Sequence, residues 1–147
     1  MTKTEGSDDN APCGRAVHTD PESPKTPEQV PLPKEMARKS RNDKSPAEWA
    51  YERLILYIRN FEELLDTEHE IALGMTDGGA GVLRIEGIGY FDPDIVTFYG
   101  TDSSGARSQL IQHVSQLSVI LRAVPKPGTQ EEPRRIGFRL VEDLDGT

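Results

Sequence analysis

The sequence predicts an α+β fold: a single small domain in the order α-β-β-β-α-β. It would be a mostly antiparallel sheet with two amphipathic helices, preceded by a disordered N-terminal arm. Three observations predict it. Apolar residues recur every three to four positions over 45–66 and 106–124, the helical period. They alternate through much of 71–100 and through 134–141, the strand period. The first 44 residues carry Pro12, Pro21, Pro24, Pro27, Pro31 and Pro33 and no aromatic residue. Such a segment buries too little apolar surface to offset its chain entropy. Residues 1–44 are therefore expected as a disordered Pro/Ser/charged arm, 45–141 as the domain and 142–147 as an acidic tail.

The first helix opens at "SPAE" (45–48), with Ser45 as N-cap, Pro46 at the first helical position and Glu48 completing a capping box. Tyr51, Leu54, Ile58, Phe61 and Leu65 form its apolar stripe, with Glu52, Arg59 and Glu63 opposite. Trp49 and Leu56 lie off the stripe and hint at a second contact surface. Ile71, Leu73 and Met75 then share one face of a strand. Asp77–Gly78–Gly79 supplies turn chemistry. A second strand runs from Gly81 to Tyr90, where Gly87 and Gly89 break the alternation and predict a bulge or a close approach. "FDPD" (91–94) is a turn, and "IVTFYG" (95–100) a third, internal strand. Over 106–124, Leu110, Val114, Leu117, Leu121 and Val124 step by three and four, so a second helix is expected there, stopped by "PKPG" (125–128). Ile136, Phe138 and Leu140 alternate in "RRIGFRLV" (134–141), which reads as a last strand.

Charge narrows the function classes. Residues 1–44 hold eight Lys/Arg and eight Asp/Glu, and the rest hold nine against seventeen, so the whole net charge of −8 sits on the domain. An acidic surface repels phosphate backbones and argues against a nucleic-acid partner. The basic run "KEMARKSRNDK" (34–44) reads as a solvated linker, or as a salt-sensitive contact with an acidic partner. Cys13 is the one cysteine, so no internal disulfide forms. No apolar run approaches bilayer-spanning length and the N-terminus has no signal-peptide core. These features point to the cytoplasm, with no membrane partner and no cofactor.

The predicted second helix places Gln109, Gln112, His113 and Gln116 on one face. Uncharged amides stand there instead of Lys and Glu, the same depletion that marks interfaces, so these four are the candidate binding residues. On that helix Ser115 and Ser118 point away from His113, which leaves the imidazole no nucleophile to activate. Arg135 and Arg139 share one face of the predicted last strand and are a possible anion contact. His69, Asp92, Asp94 and Asp102 lack any metal-ligand spacing. "GGAG" (78–81) lacks the Gly-Lys-Ser/Thr of a phosphate loop.

The block "GYFDPDIVTFYGTDSSGARSQLIQHVSQLSVILRAVPK" with the later "PRRIGFRL" resembles a small bacterial family of unknown function, best known from alphaproteobacteria. The likeness covers about 45–141 and implies one compact domain, with no activity or site to carry over. "GIGYFDPDIVTFYG", followed by the Gln–His stretch and "AVP", also looks like the bacterial Sm-like RNA chaperones. Their small barrels follow an N-terminal helix, and the likeness implies that His113 lines an RNA pore. The acidic body, the helical spacing of 106–124 and the chain beyond Pro125 count against it.

The leading expectation is a non-enzymatic bacterial interaction module, binding an unknown protein or a second copy of itself. An Sm-like RNA-binding barrel is the alternative, and a small-molecule-binding domain or enzyme without a local motif is the third. The conformation of 106–124 discriminates the first two: a helix favours the module, strands favour the barrel.

Overall fold

Ser45 starts the first helix as its side chain predicts. Its hydroxyl accepts the Glu48 N–H at 3.0 Å, with Pro46 at the first position, and α1 runs Pro46–Glu63. These assignments come from a computed structural model that describes residues 15–31, 33, 43–75 and 81–146. The chain divides into two units, Met1–Asp43 and Lys44–Thr147. Cys13, most of the basic run and the Asp77–Gly79 turn lie outside the described residues. Within Arg15–Pro31, a short 3-10 turn at Pro27–Gln29 is held locally, with the Thr26 N–H donating to Gln29 Oε1 at 3.0 Å.

The second unit is a five-stranded antiparallel sheet with the order β4-β3-β2-β1-β5: β1 His69–Met75, β2 Val82–Phe91, β3 Ile95–Thr101, β4 Arg107–His113 and β5 Val119–Pro125. A final helix, α2, spans Gly137–Gly146. The α+β class and its mostly antiparallel sheet with two helices are as the sequence predicts. The element order is corrected twice. Residues 106–124 are not a helix: β4 and β5 flank a single 3-10 turn at Val114–Gln116. Residues 134–141 are not a strand: they lead into α2, which takes up most of the expected acidic tail.

The β2 bulge is where the glycines predict it. Ile85 pairs with Gly100 and Gly87 with Tyr99, so β2 spends two residues where β3 spends one. The extra residue, Glu86, resets the alternation. Leu83 and Ile85 before it, and Ile88 and Tyr90 after it, therefore share the inner face with Val96 and Phe98 of β3. Ile71 and Leu73 of β1 continue that face, Leu73 pairing with Leu83. Ile55 and Ile58 of α1 close it, and Ile55, Ile58, Ile85, Val96 and Phe98 are fully buried. Tyr51 of α1 meets Tyr90 with ring centroids 4.9 Å apart.

The buried arc of α1 is wider than its apolar stripe. Ile55, Leu56 and Ile58 are buried, while Tyr51, Leu54, Phe61 and Leu65 are only half-buried. The reason is that α1 has two neighbours: the sheet on one side and α2 on another. Leu56, expected to mark a second contact surface, is covered within the chain. So are two acids. Glu52 pairs with Lys44 at 2.6 Å, both nearly inaccessible, and Lys44 also lies 4.3 Å from the Trp49 ring centroid. Glu62 meets the start of α2. No helix among the described residues is long and apolar enough to cross a membrane.

Candidate functional site

The strand conformation of 107–113 dissolves the predicted Gln/His face and builds another. Successive side chains alternate across the sheet, so Gln109, Ile111 and His113 face outward and Ser108, Leu110 and Gln112 face inward. The register sets these outward residues beside Tyr99, Thr97 and Ile95 of β3 respectively. Phe91 of β2 lies next to Ile95. The outer face therefore exposes Phe91 (75 %), Ile111 (61 %) and Tyr99 (42 %), with Tyr99 carbons 3.6 to 3.7 Å from where a Cβ would stand on Gly87 and Gly89.

Three of the four candidate residues still meet, through the 3-10 turn. The His113 N–H donates to Gln116 Oε1 at 2.9 Å, and Gln112 Nε2 donates to the Gln116 carbonyl at 3.3 Å. Gln112 Oε1 is buried without a hydrogen-bond partner. Gln109 stands apart, opposite Tyr99.

His113 also gains partners that helical spacing denied it. Its Nε2 lies 3.1 Å from Asp94 Oδ2, and its Nδ1 lies 2.8 Å from Ser115 Oγ. Carboxylate, imidazole and hydroxyl are thus in line, and the reading of Ser115 as pointing away is corrected. The chemistry is nevertheless that of a cap. The Ser115 N–H donates to Nδ1 at 3.1 Å, which assigns the ring proton to Nε2, facing Asp94. The lone pair a general base would use is engaged by the backbone. Asp94 is held by the same corner, its carbonyl accepting the Val114 N–H at 2.8 Å. Next to it, the Pro93 carbonyl accepts the Ala47 N–H at 3.0 Å, and Ser45 donates to Asp92. The turn predicted at 91–94 is therefore the joint between α1, β3 and β4.

The predicted arginine pair is not formed. Arg135 is half-buried and donates to main-chain carbonyls, those of His69 at 2.7 Å, Asp66 at 2.8 Å and, at 3.5 Å, Arg134. Arg139 is exposed on α2 beside Phe138. The two do not share a strand face, because the segment leads into a helix. The residues that organise this end of the domain are ones the sequence reading passed over. Glu70, 2 % exposed, accepts from Arg84 Nη1 at 2.8 Å, Gln130 Nε2 at 3.0 Å and the Arg134 N–H at 2.7 Å. An acid directly abutting the apolar run "IALG" (71–74) was the available signal. Among the described residues, no group of three or more His, Cys, Asp or Glu is placed to hold a metal ion.

His69, weighed above as a metal ligand, instead pairs with Asp66 at 2.7 Å. The His69 ring, then the Glu68 amide, hold the Asp66 carboxyl below its ordinary value of 3.8. A depressed folded value adds stability that is present above the ordinary value and is lost as pH falls through the folded one. Asp66→Asn is therefore expected to flatten the acid limb of the stability profile below about pH 4 and to leave its slope unchanged above about pH 5. Denaturant midpoints measured across that range check this.

Neither a curated protein nor a solved structure matches this chain. Residues 42–139 match the model of a family described as Family of unknown function (DUF6173), and the chain belongs to that family.

Proposed function

We propose that the domain is a non-enzymatic interaction module that self-associates edge to edge, β4 of one copy against β5 of another. One observation carries this reading: among the described residues the sheet ends in two strands that are each paired on one side only. Among the described residues β4 pairs with β3 and β5 with β1, and each outer edge is seven residues long. Exposed edges are normally blunted by lysine, proline or a bulge. Here neither strand contains a lysine, and the one proline is the last residue of β5. Each edge instead exposes an isoleucine, Ile111 at 61 % and Ile120 at 45 %. The two edges differ, so the contact is head-to-tail and gives a ring if the rotation closes. Gln109 and His113 then line the seam. The family likeness and the single cysteine support a bacterial cytoplasmic setting.

Light scattering on the full chain tests this. The wild type is expected above monomer mass, and Ile111→Lys, which places a guard on the β4 edge, is expected at monomer mass with unchanged circular dichroism. Equal masses for the two proteins reject edge pairing through β4.

A second reading, the Sm-like RNA-binding barrel, is favoured by one specific observation. Residues 107–125 are two strands around one turn, following an N-terminal helix, which is the arrangement that separates the barrel from a helix-faced module. Fluorescence anisotropy with uridine-rich and adenine-rich oligoribonucleotides at low salt decides it. Absence of binding there, where phosphate attraction is strongest, rejects it.

A further inference from the structure

A predominantly apolar cavity of about 210 Å³ lies beside the first half of β4, with Leu83, Asp102, Ser108 and Leu110 among its lining residues. An aliphatic cavity of about 150 Å³ already holds benzene, so this one has room for a branched aliphatic side chain. Asp102 is fixed within its hairpin. Its Oδ1 accepts from the Ser104 N–H at 2.9 Å, the Ser104 hydroxyl at 2.7 Å and the Ala106 N–H at 2.9 Å. None of these bonds uses Oδ2. The Ser104 hydroxyl, then the Ala106 amide, hold this carboxyl below its ordinary value, so it is charged at neutral pH.

The β5 edge carries the complement. Ile120 and Arg122 share its exposed face, about 7 Å apart. Val119 and Leu121, on the other face, are half-buried in their own copy, with Leu121 beside Leu73. Among the described residues the Arg122 guanidinium has no hydrogen bond or ion pair. Direction agrees as well. A strand antiparallel to β4 runs towards the 102–106 hairpin, so with Ile120 opposite Leu110, Arg122 falls opposite Ser108, one step nearer Asp102.

We propose that this cavity is the socket for Ile120 of a second copy, with Arg122 of that copy meeting Asp102. The inference rests on the edge-pairing reading and fixes its register and its specificity. Only a strand with an aliphatic residue followed two positions later by a cation fills both places.

Sedimentation equilibrium on the full chain tests it, with Ile120→Ala, Arg122→Gln and Asp102→Asn, the last keeping an oxygen for the hairpin bonds. Ile120→Ala is expected to weaken self-association about tenfold. Arg122→Gln and Asp102→Asn are each expected to weaken it about three- to fivefold, with no further loss when combined, because they remove the same pair. If the wild type associates and Ile111→Lys abolishes association, but Ile120→Ala and Arg122→Gln behave as wild type, edge pairing stands and the socket is rejected. A wild type that is monomeric at every concentration rejects both.

Discussion

Gly100→Ala is expected to be the most damaging single methyl in the domain, lowering stability by about 2–4 kcal/mol. Gly100 is buried in β3 and pairs with Ile85 at the β2 bulge. A Cβ there would stand well inside van der Waals contact of the Arg84 carbonyl oxygen, 2.9 Å from its carbon and 3.3 Å from Ile85 Cα. These are backbone atoms of a paired strand, so no side-chain rotation relieves the clash. The strands must part, and the inner face assembled by the bulge loses its registration. Denaturant unfolding followed by circular dichroism measures the loss. Gly128→Ala, where an added Cβ meets nothing within 4 Å, is the control and is expected within about 0.5 kcal/mol of wild type. A Gly100→Ala midpoint equal to that control would overturn the account of the bulge.

Glu62→Ala is expected to cost about 2–4 kcal/mol and to loosen α2 before the sheet. The Glu62 carboxylate, 6 % exposed, accepts the Ile136 N–H at 3.0 Å and 3.1 Å and the Gly137 N–H at 2.7 Å. These are donors at the entry to α2 that the helix cannot satisfy itself, and a negative charge there also favours the helix dipole. Removing the side chain leaves buried N–H groups without an acceptor. Glu62→Gln keeps one oxygen and loses the charge, so about half the cost is expected. Hydrogen exchange is the discriminating readout. The amides of 137–142 should exchange faster in Glu62→Ala while those of β3 stay protected. Uniform acceleration would mean that α2 and the sheet unfold as one unit.

Both sites explain how much of the fold was legible. Ser45, Pro46 and Glu48 announced α1 because capping is local, a matter of three residues and one hydrogen bond. Gly87 and Gly89 announced the bulge because glycine marks backbone irregularity wherever the fold places it. The two misread segments fail for a shared reason. Leu110 and Leu121 each belong to a short alternating strand, and the 3-10 turn at Val114–Gln116 shifts the phase between them. Two period-2 patterns joined by that shift imitate steps of three and four. Val119 lies off the stripe of Leu110, Val114, Leu117, Leu121 and Val124, and it is the first residue of the second strand. Around Gly137 the ambiguity ran the other way. Ile136 and Leu140, both buried, fit a helical step of four as well as alternation, and the exposed Phe138 (56 %) shows that alternation did not govern burial.

The candidate site was legible in part. Gln112, His113 and Gln116 do come together, but through a turn, and the neighbours that give His113 its chemistry, Asp94 and Ser115, depend on β3 and β4 lying side by side. The sequence by itself determined the charge distribution, the capped first helix, the bulge, the first three strands and the α+β class, all of which follow from local spacing and composition. Tertiary structure alone decided that 107–125 would be strands and 137–146 a helix. With β3 offering a free edge to β4 and β1 a free edge to β5, pairing gave those residues backbone partners along both strands. With both edges of the sheet taken up by β4 and β5, the last segment found its partner in Glu62 and the side of α1, a contact between residues more than seventy positions apart.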